Sequence, residues 1–340
     1  FLESLHKIDT MPYAEPFRGD FMNRKNRPVY AVSSVMEESV ASCQIEGASV
    51  PLRQAKKMLR ENRPPKNKSE RMVFNEYSAM KNVKSKKDSP LTPELIKEIH
   101  RIITEGTLED GFYEGRFRDT DGIAVCDTAA GEILHKPIPY ADIESAIDSV
   151  CDYINSEENF EHPIIKGIIL HFIVAYIHPF IDGNGRLARA LFYWYSLKKG
   201  YGTMEYLSIS KAIKADRGKY DLAYLLSETD GNDVTYFIKF HLGLIEDALY
   251  TFGKYVKRKA DEQKELENKI TGLGNLNSRQ KSVLNDAVRS DEPFSVYCVR
   301  EKYRISYQTA RTDILKLIDL GYVKVSGRDG NMVLYSYSGN

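Results

Sequence analysis

Twelve consecutive residues, His178-Pro179-Phe180-Ile181-Asp182-Gly183-Asn184-Gly185-Arg186-Leu187-Ala188-Arg189, bring together an imidazole, a carboxylate, a glycine-rich turn and two arginines. Pro179 and Gly183 disfavour helix, whereas the run from Leu187 to Leu197 reads as a buried helix. Gly183-Asn184-Gly185 is then a tight loop feeding a helix N-terminus, where free backbone N–H groups and the helix dipole favour an anion. Arg186 and Arg189, three apart, share a face of the first turns and can clamp phosphate oxygens. Asp182 flanks the loop as a hard oxygen ligand for a magnesium ion that also binds phosphate. His178 is the natural general base. The set suits a nucleotide polyphosphate and a proton transfer.

The segment resembles the signature of the Fic family, H-x-F-x-[DE]-G-N-G-R-x-x-R, at every specified position. The resemblance implies AMP transfer from ATP to a hydroxyl side chain of a protein, with pyrophosphate released. His178 would then take the hydroxyl proton and Asp182 would bind Mg2+. The Gly183-Asn184-Gly185 backbone would hold the α- and β-phosphates, with Asn184 on the α-phosphate. Arg186 would neutralise pyrophosphate charge and Arg189 would hold the γ-phosphate. Gly115-Arg116-Phe117-Arg118, a hairpin, and His135 to Pro139 resemble the family's flap, which implies a strand-like edge for a target peptide.

Upstream, Ser42-Cys43-Gln44-Ile45-Glu46-Gly47 resembles the family's inhibitory motif, [ST]-x-x-x-E-[GN]. That implies a Glu46–Arg189 pair occupying the guanidinium that otherwise takes the γ-phosphate, with Ser42 in the same motif. Two further residues are weighed. His171, seven before His178, is expected to pack rather than react. Tyr220 is a candidate adenine contact, although aromatics at helical spacing are more often core.

Lysine plus arginine balance aspartate plus glutamate at 48 each, so no global pull on nucleic acid or membrane follows. Cys43, Cys126, Cys151 and Cys298 lack metal-ligand spacing and read as reduced thiols. No apolar run is long enough to cross a membrane. The first residues also lack the apolar core of a signal peptide, and a cytoplasmic protein is expected.

The elements needed to position the motif can be placed along the chain. Residues 1–33, with three prolines, read as extended or irregular. Ser34 to Glu37 forms a capping box opening a helix that runs through Glu46 and stops at Gly47. Further helices are expected at Leu52–Leu59, Arg71–Val83 and Thr92–Ile103, with Pro93 at the first helical position. Ile123–Cys126 and Glu132–His135 flank Asp127–Gly131 as a hairpin. Ala141–Ile154 and Pro163–Tyr176 are helical, and the latter leads into the motif. Tyr206–Ile213 and Arg217–Tyr220 resemble the helices that close the family's nucleotide pocket. A long helix, Val234–Leu266, ends in solvated charge ahead of a glycine linker at 272–275.

The expected chain is mainly α-helical, a Fic helical core with a β-hairpin flap and a small C-terminal winged-helix domain. Its parts are an N-terminal helical region, 1–90, with the inhibitory helix at about 34–46; a catalytic domain, 91–270; and a module, 276–340. In that module three helices and a hairpin resemble a winged helix-turn-helix with Ser306, Gln308, Thr309 and Arg311 on a recognition helix. Ten basic residues against seven acids from Asn275 onward make a thin basic stripe, so DNA binding and protein contact stand level. The functional expectation is an autoinhibited protein adenylyltransferase using ATP and Mg2+ on a target protein or itself. A hydrolase removing AMP and a DNA-binding regulator that senses nucleotide are the alternatives, and homo-oligomerisation is left open.

Overall fold

The computed structural model describes residues 1–13, 26–126, 133–290, 293–330 and 332–338. The chain is mainly helical: α1 (Leu2–Thr10), α2 (Asn26–Ile45), α3 (Leu52–Arg60), α4 (Lys68–Ser85) and α5 (Pro93–Thr104) precede a short antiparallel pair, β1 (Val125–Cys126) and β2 (Ile133–His135). There follow α6 (Ile143–Asn155), α7 (Pro163–Ile177), α8 (Asn184–Lys198), α9 (Ile209–Ala215), α10 (Arg217–Thr229) and α11 (Thr235–Gly272). The last elements are α12 (Ser278–Ser290), α13 (Val296–Tyr303), α14 (Tyr307–Asp319) and the hairpin β3 (Val323–Asp329) with β4 (Met332–Tyr337).

By its contacts the chain forms two compact units. Among the described residues, the first unit takes those up to Gly253 and the second those from Lys254 onward. The division falls inside α11, which continues through the charged stretch to Gly272 instead of stopping at Leu266.

In the first unit α7 and α8 lie at the centre. Ile164, Ile168, Leu170, Phe172 and Val174 of α7 and Leu187, Leu191, Phe192 and Trp194 of α8 are all at most 2% exposed. Each such side chain contributes about 1.5–3 kcal/mol of burial. α8 is buried from Arg186 to Leu197, so its first two turns, which carry the arginines, sit in low dielectric. A second cluster pins α2 to α3 and α4 through Met36, Val40, Cys43, Met58 and Val73.

Two expectations for the N-terminal residues fail. Leu2–Thr10 is helical, and nine residues are too few to hold a helix alone. Tertiary contacts supply the rest: Leu5 and Ile8 are buried, and Asp9 accepts from Tyr201 Oη at 2.8 Å and faces His162 Nε2 at 3.1 Å. α2 starts at Asn26, eight residues before Ser34. Ser34 is an interior residue whose hydroxyl bonds the Tyr206 carbonyl.

The expected hairpin is present as β1 and β2, paired Val125 to His135 and Cys126 to Ile133; its turn, Asp127–Gly131, lies outside the described residues. In the second unit α12, α13 and α14 share a core with the β3–β4 hairpin, and Phe294 bridges to Tyr335. That order of helices and hairpin is consistent with a winged helix.

Candidate active site

The loop between α7 and α8 holds the chemistry. α7 ends with His178 in the left-handed region, φ 51°, where its N–H bonds the Val174 carbonyl. A non-glycine residue seldom takes that conformation, and it turns the chain sharply out of the helix. The imidazole Nδ1 lies 3.2 Å from the Ala175 carbonyl. A carbonyl only accepts, so Nδ1 carries the proton and Nε2 keeps its lone pair. Burial drives the ring's pKa down to about 4, against the Ala175 contact, and nearby His135 lowers it further. His178 is therefore a neutral base over the whole physiological range.

Gly183 caps α8 at φ 86°, and a Cβ there would come within 2.9 Å of Thr104 Cγ2. Only glycine makes this turn without strain. The backbone N–H groups of Asn184, Gly185 and Arg186 are the first of α8, free of intrahelical partners. The Asn184 side chain bonds within the loop. Its side-chain Oδ1 accepts from Phe180 N at 3.0 Å and its Nδ2 donates to Phe180 O at 2.8 Å. The amide locks the loop, and the backbone N–H is what it has left for an anion.

Arg186 and Arg189 occupy different surroundings. Arg186 is 1% exposed, with Nη1 donating to the Ile103 carbonyl at 3.1 Å and Nη2 3.9 Å from Asp182 Oδ1. It supports the loop from inside and supplies positive potential there. Arg189 Nη2 donates to Glu46 Oε1 at 2.7 Å and to Ser42 O at 3.1 Å, and Nε donates to Ser42 Oγ at 3.0 Å. Glu46 also covers the helix N-terminus, since a Cβ added at Gly185 would collide with its Oε1. Burial would raise the Glu46 pKa, but Arg189, with Arg186 and Arg217 behind it, outweighs that and holds it below its usual value. Glu46 follows the last residue of α2, and Gly47 takes φ 87°.

Asp182 is half-exposed; its Oδ1 accepts from Gly183 N at 2.5 Å. Among the described residues no group of three His, Cys, Asp or Glu is placed to hold a metal. An ion at Asp182 would thus draw its other ligands from phosphate and water, which suits magnesium.

Sequence reasoning missed several residues that build this site. His100 of α5 stacks on Phe180 at 3.6 Å, and its Nε2 meets the Asp182 carbonyl at 2.8 Å while Nδ1 accepts from Gly115 N at 3.1 Å. Burial lowers its pKa to about 4, so it is a neutral strut under the loop. Its signal was present: it lies on the apolar stripe Ile96, Ile99, Ile103. Arg118 is buried, with Nε donating to the His178 carbonyl at 2.9 Å, Nη1 to Thr120 O and Nη2 to Ile138 O. It ties both sides of the hairpin region to the base. Glu38 is buried in α2 and accepts from Ser208 Oγ and Ser210 N at α9, although burial raises its pKa.

His171 packs as expected, fully buried with Nε2 3.1 Å from Tyr220 Oη. Tyr220 itself corrects an expectation. It is 5% exposed and its ring packs among Tyr224, Phe237, Phe240 and His241, which leaves no open face for adenine.

Residues 90–196 match the family model described as Fic/DOC. Protein adenylyltransferase Fic of Nematostella vectensis is 29% identical over 157 residues, which are 45% of this chain and 32% of that protein. The chain thus spans about a third of the curated relative's length. A Fic family protein from Desulfovibrio desulfuricans shares the fold over 100% of this chain and 95% of its own at TM-score 0.63 and 17% identity. Fic-1 of C. elegans (residues 134–508) covers 76% of this chain and 72% of its own at TM-score 0.59 and 19% identity. A buried neutral histidine, a helix N-terminus and a fold shared with Fic family proteins thus meet in the segment, residues 90–196, that matches the Fic/DOC family model.

Proposed function

We propose that the chain is a protein adenylyltransferase held in check by its own Glu46. The observation that carries the reading is the Glu46–Arg189 contact at 2.7 Å, directly over the start of α8. Phosphate oxygens of ATP would lie on the N–H groups of Asn184, Gly185 and Arg186, with the γ-phosphate on Arg189. His178 Nε2 would take the proton of a target hydroxyl. The hydroxyl oxygen bonds to the α-phosphorus, the bond from that phosphorus to the bridging oxygen breaks, and pyrophosphate leaves. Asp182 would hold Mg2+, which neutralises phosphate charge. While Glu46 occupies Arg189, ATP binds with its γ-phosphate displaced and its α-phosphorus out of line, so rate is lost through misorientation.

Incubation with α-labelled ATP and magnesium tests this on the wild type and Glu46→Gly, with the chain itself as the first acceptor. Label above wild type supports transfer, and no label from either overturns it. A second reading rests on the Glu46 side chain being 31% exposed. It has room for a water, as removal of AMP from a modified protein would require. The C-terminal unit is a candidate DNA contact: Ser306 Oγ and Thr309 Oγ1 bond each other at the start of α14, while Gln308 and Arg311 are exposed. The expectations of a cytoplasmic protein and a homo-oligomer add nothing to this mechanism. Among the described residues no helix is long and apolar enough to cross a membrane.

A further inference from the structure

His135 belongs to none of the phosphate-binding or proton-transferring groups, yet it joins three elements. It ends β2, and its side chain is 9% exposed. Nδ1 lies 2.8 Å from Glu228 Oε2 on α10, and Nε2 lies 2.7 Å from the Tyr176 carbonyl on α7. A carbonyl has no proton to give, and neither has an ionised carboxylate. A neutral imidazole has a single N–H, so one of these contacts would set two lone pairs against each other in a nearly dry site. Both are satisfied only when both ring nitrogens carry protons.

The groups facing the ring are few. Glu228 faces it from α10, and the Tyr176 carbonyl and ring face it from α7, with ring centroids 5.0 Å apart. His178, two residues beyond Tyr176, feels its charge, and Lys136 follows it along the chain. Burial lowers the His135 pKa, but the Glu228 and Tyr176 contacts outweigh that and leave it raised.

We propose that doubly protonated His135 is a positioning residue, a clasp that fastens β2 to α10 and to the end of α7, and so fixes the strand edge relative to His178. The inference rests on the adenylyltransferase reading for its consequence, because the edge matters only if a target chain lies along it. The sign follows from the raised pKa. The clasp is complete below the ordinary histidine value of about 6.5 and is lost as pH rises through the raised value. Its charge also disfavours a proton on His178, which keeps the base ready.

The test uses the full chain labelled with nitrogen-15 on histidine, as wild type and Glu228→Gln. At pH 7, long-range proton–nitrogen spectra should show both His135 ring nitrogens protonated, with a titration midpoint above about 6.5. Glu228→Gln should move that midpoint down by about one unit or more. Amide exchange at Val125 and Ile133 should quicken in the wild type as pH rises through the same midpoint, after correction for intrinsic exchange. In a Glu46→Gly background, self-labelling with α-labelled ATP should fall several-fold over that midpoint with ATP affinity unchanged, and Glu228→Gln should shift the fall to lower pH. A single neutral tautomer at pH 7, or a midpoint that Glu228→Gln does not move, overturns the clasp. So does a labelling profile that ignores the substitution. If no label appears at any pH, the adenylyltransferase reading fails, while the ring spectra and exchange still decide the clasp.

Discussion

Glu46→Gly should raise AMP transfer by roughly ten- to thirty-fold. The carboxylate makes one charge-assisted hydrogen bond to Arg189 at 2.7 Å. Such a bond is worth about 1.5–3 kcal/mol, and a carboxylate partly open to solvent belongs at the low end. In the proposed mechanism an ATP γ-phosphate displaces that contact to reach Arg189. Removing about 1.5–2 kcal/mol from the barrier gives the stated factor. The fold should survive, because α2 is held without Glu46: Glu38 binds the start of α9, Lys214 bonds Gln44 at 2.6 Å and Arg217 bonds the Ile45 carbonyl at 2.9 Å. Glycine at the helix end costs up to about 1 kcal/mol. The buried Arg189 retains Ser42, but it loses its nearest negative charge. The variant should therefore melt a few degrees lower, and ATP should stabilise it more than it stabilises wild type. Labelling with α-labelled ATP should rank Glu46→Gly above wild type, and adding Arg189→Ala should erase most of the gain. A variant that melts normally, binds ATP and labels no better than wild type would refute the inhibitory role.

Acid cannot substitute for this mutation. Glu46 has a lowered pKa, so its contact with Arg189 persists above the ordinary carboxylate value and is lost only as pH falls through the lowered one. His178 takes a proton at about 4. The proposed base is itself protonated in acid, where the Glu46 contact would loosen, and the wild type should show no acid-activated window.

His178→Ala should cut labelling by about 10²- to 10⁴-fold and leave ATP affinity nearly intact, measured by single-turnover rate and equilibrium binding; undiminished transfer removes the assigned base. Asp182→Ala should abolish the magnesium dependence of ATP affinity, and an affinity still equally magnesium-dependent would place the ion elsewhere. If the C-terminal unit binds DNA, Arg311→Ala should weaken binding across sequences and flatten its salt slope by about one; an unchanged slope rules out a phosphate contact by Arg311. The melting temperature should fall between about pH 6.5 and 4, because His100, His178 and His241 hold pKa values of about 4 and His171 lies well below its usual value. The unfolded chain takes up those protons first. Glu38 and Glu76 have raised pKa values and oppose the trend, but four histidines outnumber two carboxyls. A flat profile over that window would show that these rings are not buried neutral.

What the sequence made legible was local chemistry with a fixed spacing. His178 to Arg189 could be read because a proline, two glycines and an apolar run force a loop into a helix start within a dozen residues. Glu46 could be read only through resemblance, since 143 residues separate it from Arg189 and nothing local to either predicts that they meet. The supports were illegible for the same reason. His100 looks like one polar residue on an apolar stripe until Phe180 and Asp182 arrive from eighty residues away. Arg118 looks like a surface charge until the His178 and Ile138 carbonyls surround it. Arg186 shows the converse limit: helical spacing puts it beside Arg189, and nothing in that spacing shows that it also holds the Ile103 carbonyl from inside the loop. Spacing along a helix states which residues share a face, and only packing decides whether that face meets water. Both arginines of the motif are buried, at 1% and 3% exposed, and they differ in partner: Arg186 donates to the Ile103 carbonyl, whereas Arg189 pairs with Glu46. Glu46 covers Arg189, and the proposed inhibition rests on that contact.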